Sequence, residues 1–315
     1  MSASKLAIGI EIGATATRTG LVHQKQVVEL APPLATKEFS EPAELIEALS
    51  RGVEALKKKH TGVAAMGVGL PGMVDYDKGW LHNLPHVPGW DSIPLARMLE
   101  EKTGLPAAID NRVNCMAIAE WKRGAAKGLR DVVFVNLESG VGGAIIAGNR
   151  MIRGSRFVAG EIGHSTIDWR GRKGAFGNRG AVEKYLGSAE IAADALEAYA
   201  AAKVEKSIED CSISALIAAA QKDDPVAIAR WKETASLLAA AVSNCCWILN
   251  PEAVIIGGGI TQAGELLFQP LREELFEILS YPFIDHLMVQ PSSFGVDGVI
   301  IGAAALALEM EHLSG

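Results

Sequence analysis

Short apolar runs alternate along the chain with longer stretches in which apolar residues recur every three or four positions. The runs KLAIGIEI, TRTGLVH, GVAAMGVGL, PAAID, DVVFVNL and EAVII predict strands. The helical pattern appears from Ser40-Glu41-Pro42 to Lys59, from Asp91-Ser-Ile-Pro onward, and from Val113 to Gly128. It returns over 182–201, 207–221 and 225–249, and in the last segment GVIIGAAALALEM. Pro42 falls near a helix start, where its missing N–H costs little. The first two runs are close enough to form a hairpin, and strand–turn material recurs at DVVFVNL, as in an internal duplication. This alternation predicts an α/β protein of two lobes. The boundary falls near residues 112–130. The smaller lobe takes 1–112 plus a returning C-terminal helix at about 300–315, the larger takes 113–299, and a ligand cleft is expected between them.

Composition narrows the classes. A chain of 315 residues suffices for two domains with substantial cores. Although 49% of residues are hydrophobic, no unbroken apolar stretch is long enough for a membrane span. The N-terminal MSASKLAIGIEIGAT runs directly into a strand pattern, so no signal peptide is expected. A net charge of −7 gives no basic footprint for nucleic acid. Cys115, Cys211, Cys245 and Cys246 show no Cys-x-x-Cys spacing, which fits reduced thiols and a cytoplasmic location.

Three glycine-bearing turns at strand ends carry the chemistry. They are Glu11-Ile-Gly13-Ala-Thr15, Ser139-Gly140-Val-Gly142-Gly143 and Gly257-Gly258-Gly259. Glycine at a strand end lets backbone N–H groups approach a phosphate. One such turn is weak evidence, but three in one chain predict a split nucleotide site.

With these turns placed, the chain resembles the ROK family (repressors, open reading frames and kinases) of the actin-like ATPase superfamily. IGIEIGATATRTGLV, GVGLPGMVDYDKG, PHVPGWDSIPL, IDNRVNCMAIAEW, ESGVGGAIIAGNRMIRGSRFVAGEIGH, GNRGAVEKY and EAVIIGGGI carry the resemblance. It implies an actin-like (ribonuclease H-like) fold, each lobe a mixed sheet flanked by helices. It further implies ATP with Mg²⁺, a hexose or N-acylhexosamine, phosphate transfer to a sugar hydroxyl, and a homodimer as in many relatives. Repressor members carry an N-terminal helix-turn-helix; this chain begins at the phosphate loop, so DNA binding is not expected.

By the resemblance, Gly72, Asn111, Glu161, His164 and Glu183 contact the sugar. Alone, Glu183 reads as an acid in a first helical turn and His164 as a structural histidine; their spacing and neighbours change that reading. Ser139, Gly140, Gly142 and Gly143 face the phosphates, and Gly257, Gly258 and Gly259 pass beneath the adenosine. The first loop departs from the family's Asp-x-Gly-Gly-Thr-Lys: Glu11, Ala14 and Ala16 replace Asp, Gly and Lys, while Gly13 and Thr15 remain. Glu11 keeps a carboxylate that reaches Mg²⁺ through water, and the lysine's cation is lost. His86 replaces a frequent Asn.

Two further departures bear on function. The family's zinc stretch, Cys-x-Cys-Gly-x-x-Gly-Cys, reads Gly174-Ala-Phe176-Gly177-Asn-Arg-Gly180-Ala181, so no zinc is expected, with Phe176 and Ala181 filling the corner. Arg112 occupies the position of the aspartate that accepts the hydroxyl proton, and a guanidinium cannot act as a base. Asp110 is a candidate substitute, and Asp75 or Asp110 could orient the hydroxyl. Three readings stand open: a sugar kinase with altered hydroxyl activation, a sugar-sensing pseudokinase, and another sugar chemistry using Glu161 and Glu183 as an acid/base pair.

Overall fold

The computed structural model describes residues 5–39, 41–84 and 89–313. His86 and Ser40 lie outside the described residues. The chain divides into two compact units. Met1–Gly128, Arg153–Ala159 and Val296–Gly315 form the first, and Leu129–Ile152 with Gly160–Gly295 the second.

The first unit begins with β1 (Leu6–Ile12), β2 (Ala16–His23), β3 (Gln26–Leu30) and β4 (Leu34–Ala35), followed by α1 (Pro42–Lys59). Next come β5 (Val63–Leu70), β6 (Met73–Asp75), β7 (Trp80–Asn83), β8 (Asp91–Ile93), α2 (Leu95–Thr103), β9 (Ala107–Asn111) and α3 (Arg112–Arg123). Its main sheet runs β3-β2-β1-β5-β9, with β4 paired to β2. The first strands form the expected antiparallel hairpin, whereas β5 and β9 run parallel to β1. The core lies between this sheet and α1 and α2, through residues such as Ile8, Ile10, Leu45, Leu49, Val68 and Leu99.

The second unit repeats the plan. Its strands are β10 (Val132–Leu137), β11 (Val141–Ala147), β12 (Arg150–Ile152), β13 (Ala253–Gly257) and β14 (Met288–Pro291), in the order β12-β11-β10-β13-β14. Again an antiparallel meander is extended by two parallel strands. The duplication read from strand–turn material is therefore a duplication of topology. Helices α4 (Glu183–Leu186), α5 (Ser188–Ala201), α6 (Ile213–Ala220), α7 (Pro225–Leu249) and α8 (Glu265–Ile278) complete this unit. Together these are the mixed sheets flanked by helices that the sequence predicts. No described helix is long and apolar enough to cross a membrane.

Several local expectations need correction. Asp91-Ser-Ile does not open a helix but forms β8, paired to β7 through Leu81–Ile93 and Asn83–Asp91; α2 starts only after Pro94. The helix from 113 starts one residue earlier and stops at Arg123, where Gly124 leaves helical geometry and the Glu120 carboxylate accepts from Ala125 N–H. Gly187, in extended geometry, splits the helix expected over 182–201 into α4 and α5.

The C-terminal helix Gly298–Leu313 packs backbone to backbone in the first unit. A Cβ on Gly9 or Gly67 would overlap the carbonyl oxygens of Ile300 and Ala303, and one on Gly302 would overlap that of Cys115 in α3. Gly67→Ala must therefore lift this helix off β5. We expect a loss of about 1–3 kcal/mol, read as a lower urea midpoint; an unchanged midpoint would contradict this packing.

Candidate functional site

In the first unit, Gly13 follows β1 and closes a tight turn by donating its N–H to Ala16 O at 3.0 Å. A Cβ on Gly13 would stand 2.8 Å from that oxygen. Thr15 is exposed at the turn, and its carbonyl accepts from Thr36 N–H. Glu11 lies directly across the hairpin from Arg18. The Arg18 guanidinium is 3.4 Å from the Glu11 carboxylate, pairs with Asp297 at 2.5 Å and donates to Val296 O at 2.7 Å. Strand alternation puts residues 16 and 18 on one face. A cation, Arg18, thus stands two positions after Ala16 on that face, engaged by the carboxylates of Glu11 and Asp297. Glu11, expected to face Mg²⁺ through water, has this guanidinium beside it.

Residues 110–112 link β9 to α3. Asn111 caps the helix: its Oδ1 accepts from Val113 N–H at 2.8 Å, while its Nδ2 donates to Gly72 O at 3.2 Å. Gly72, at φ +102°, follows β5 in a conformation suited to glycine. These bonds bring Gly72 and Asn111 together and leave the amide one donor and one lone pair for a ligand. Arg112 is the first residue of α3 and half-buried.

Asp110 points into the scaffold and is only 2% exposed. Its Oδ1 accepts from Asn111 N–H and Asn114 Nδ2, both at 2.8 Å. Its Oδ2 accepts from Arg153 Nε at 2.9 Å and from the same guanidinium's NH2 at 2.6 Å. Four donors fill the acceptor sites of one carboxylate, leaving no lone pair for a substrate proton. Arg153 also lies over the Tyr76 ring, 3.7 Å from its centroid, and burial raises the Tyr76 pKa. Asp75 is buried as well; it accepts from Lys78 N–H at 3.0 Å and pairs with Lys78 Nζ at 3.4 Å.

In the second unit, the Ser139 turn is shorter than its sequence suggests. Only Glu138, Ser139 and Gly140 lie between the strands, because Gly142 and Gly143 belong to β11 and pair with Asn136 and Val135. Gly143 is needed for packing: a Cβ there would lie 2.6 Å from Gly160 O and strike the Ile162 side chain. Gly257 ends β13, and Gly258, at φ +91°, sits against the Leu137 carbonyl with no room for a Cβ. Nothing crowds Gly259. Ser139 and Gly259 both line a cavity of about 220 Å³. Its walls include Leu137, Leu186, Ile191, Ile213 and Ile260. Apolar walls beside two exposed backbone turns suit a flat heterocycle carrying a polar tail.

The GEIGH segment folds against β11, bringing Glu161, His164 and Glu183 together. His164 Nδ1 lies 3.4 Å from Glu183 and its Nε2 3.8 Å from Glu161. Among the described residues, the buried Nδ1 has no hydrogen-bond partner. Glu183 is largely buried in the first turn of α4, whereas Glu161 is half-exposed. Two carboxylates and an imidazole so placed can hold vicinal hydroxyls.

The corner that corresponds to the family's zinc stretch does not fit the metal, because no cysteine lies between His164 and Glu183. Protein groups close it instead. Asn178 Nδ2 donates to His164 O at 2.9 Å, Thr166 bridges to Ala181, and Lys173 bridges to Arg179. Ala181 is buried as expected. Phe176 meets the His164 ring edge-on at 4.7 Å but remains 78% exposed, so it lies over the corner rather than filling it.

A model of the ROK family matches residues 7–310. The chain belongs to the ROK family. It is 30% identical over 312 residues to a glucokinase from Thermotoga maritima, covering 96% of this chain and 97% of that one. The structure of a ROK family glucokinase from Streptomyces griseus in complex with glucose and AMPPNP superimposes with a TM-score of 0.78 at 28% identity, over 96% of this chain and 99% of the other. The N-acetylglucosamine repressor of Escherichia coli is 29% identical over 273 residues, 84% of this chain and 66% of the repressor. This ROK chain is therefore a homologue of both sugar kinases and sugar-responsive repressors.

Arg153→Met in this ROK protein leaves the buried Asp110 charge unpaired. Breaking a buried ion pair from one side costs about 3–5 kcal/mol. The variant should show a strongly lowered unfolding midpoint, and a near-native midpoint would mean that Arg153 does not hold Asp110.

Proposed function

We propose that the protein binds a hexose or N-acylhexosamine together with an adenine nucleotide, and that it transfers phosphate between them far more slowly than a ROK kinase with a carboxylate at position 112. Asn111, Gly72, Glu161, His164 and Glu183 hold sugar hydroxyls in this reading. A polyol needs this many polar groups, because each buried hydroxyl left unpaired costs about 1–3 kcal/mol. Ser139, Gly140 and Gly257–Gly259 hold the nucleotide, with adenine in the cavity beside Gly259. Gly13, Thr15 and Arg18 serve the phosphates, and Glu11 serves Mg²⁺ through water. The bound Mg²⁺ supplies charge neutralisation of the phosphates. The glucose and AMPPNP of the Streptomyces griseus complex support this pairing of ligands.

The engagement of Asp110 by four donors carries the slow-transfer part of the proposal. Position 112 offers a guanidinium, and the nearest carboxylate in sequence is committed to the scaffold. Loss of general-base catalysis costs 10²–10⁴-fold, or about 3–5.5 kcal/mol of barrier. Much of phosphoryl transfer is positioning and charge neutralisation, so binding of both ligands survives that loss. The repressors among the relatives favour ligand sensing as the outcome.

The test is transfer of labelled γ-phosphate from ATP to a panel of hexoses and N-acylhexosamines, with calorimetric titration of the same sugars. We expect the wild type to bind one of them and Arg112→Asp to transfer phosphate roughly 10²–10⁴-fold faster. Wild-type turnover at least equal to that of Arg112→Asp would refute the proposal and restore a kinase in which Arg112 stabilises the transferring phosphate.

A further inference from the structure

The segment 165–182 joins His164 to Glu183 and is tied at both ends. Asn178 holds the His164 carbonyl. At the other end stands Arg172, whose guanidinium donates to Lys184 O at 2.8 Å and to Asp194 Oδ1 of α5 at 2.6 Å. The same guanidinium lies 4.8 Å from the Tyr185 ring centroid. Its backbone also takes part: Arg172 N–H donates to Tyr185 Oη at 3.0 Å, and Arg172 O accepts from Gly180 N–H at 2.7 Å. Gly171 has no room for a Cβ beside the Tyr185 hydroxyl, so the approach of this loop to α4 is close. Asp194 is anchored from behind by Arg230 of α7 at 3.7 Å, and Arg230 is held by Glu233 at 2.5 Å.

We infer that Arg172 is a positioning residue that sets α4, and with it Glu183, against His164, performing with one guanidinium the tethering that a metal cannot perform in this loop. The inference rests on the reading that Glu183 and His164 hold the sugar. Arg172 touches no expected ligand group itself. It fixes the carbonyl of the residue after Glu183, and charge-assisted bonds of this length are among the stronger tethers a loop can have. The planar fork lets one side chain bind a backbone carbonyl and a carboxylate on different helices, which a lysine cannot reproduce.

The test compares wild type, Arg172→Ala and Arg172→Lys by hydrogen exchange and by titration with glucose, N-acetylglucosamine and AMPPNP. The amides of Lys184, Tyr185, Leu186 and Gly187 are all hydrogen-bonded and report on α4. In Arg172→Ala we expect their exchange to rise about tenfold or more while β10 and β11 are unchanged. Sugar affinity should fall about tenfold, as for one lost charge-assisted bond. Arg172→Lys should be intermediate, keeping the charge opposite Asp194 but losing the fork. Unchanged exchange at 184–187, a uniform rise through the whole unit, or unaltered sugar affinity in a wild type that binds sugar would each overturn the inference, as would stoichiometric zinc in the purified protein. If the wild type binds neither sugar, the exchange data alone decide the tether, and the sugar-site reading falls independently.

Discussion

Backbone laid directly on backbone is the constraint on which this structure depends. The C-terminal helix rests on β1, β5 and α3 through Gly9, Gly67 and Gly302, each at a place where a Cβ would overlap a carbonyl. Such contact is possible only where a glycine supplies no Cβ, so it fixes helix height and register together. The second unit uses the same device nearer the candidate site. Gly160 and Gly163 sit on Gly143 and Val141 of β11, and Gly258 sits on Leu137. The backbone groups of the candidate site are therefore set by packing, and glycine here serves contact between chain segments.

Within that frame, Asp110 shows how a candidate catalytic group can be absorbed by structure. An unpaired carboxylate at 2% exposure would be costly. Its two oxygens gather the N–H of Asn111, the amide of Asn114 and the Arg153 guanidinium. The same set of bonds orients Asn111, which caps α3 with one amide atom and holds Gly72 with the other. A base needs a free lone pair and access to water or substrate. Asp110 has exchanged both for a fixed position of its neighbour.

Six strands, β1, β2, β5, β9, β10 and β13, were legible as apolar runs, and the repeated plan followed from the similar start of each half. Glu161, His164 and Glu183 were legible as a group only through their motif, since nothing in the spacing from 161 to 183 brings the ends together. What escaped reading depends on long-range partners. β8 forms because β7 supplies a ladder, which outweighs the helix-start pattern at Asp91. Arg18 required the hairpin register to appear opposite Glu11. Arg153, distant in sequence from Asp110, carries no local signal at all. Gly142 and Gly143 read as turn residues because composition alone does not separate a phosphate loop from a strand built to be packed upon.

The corner without cysteines bears on the chemistry of His164 as well as on stability. A structural zinc contributes roughly 10–16 kcal/mol of apparent binding energy to a small site, whereas charge-assisted hydrogen bonds contribute about 1.5–3 kcal/mol each. A corner held by Arg172, Asn178 and two short bridges therefore opens locally at lower cost than a metal-tied one. In return, His164 lacks the cysteines that would complete a tetrahedral site, and its Nδ1 stands beside Glu183 outside hydrogen-bond geometry. A buried polar atom in that state gains most from a ligand hydroxyl that can bridge it to the carboxylate. In the proposed function, that hydroxyl belongs to the sugar.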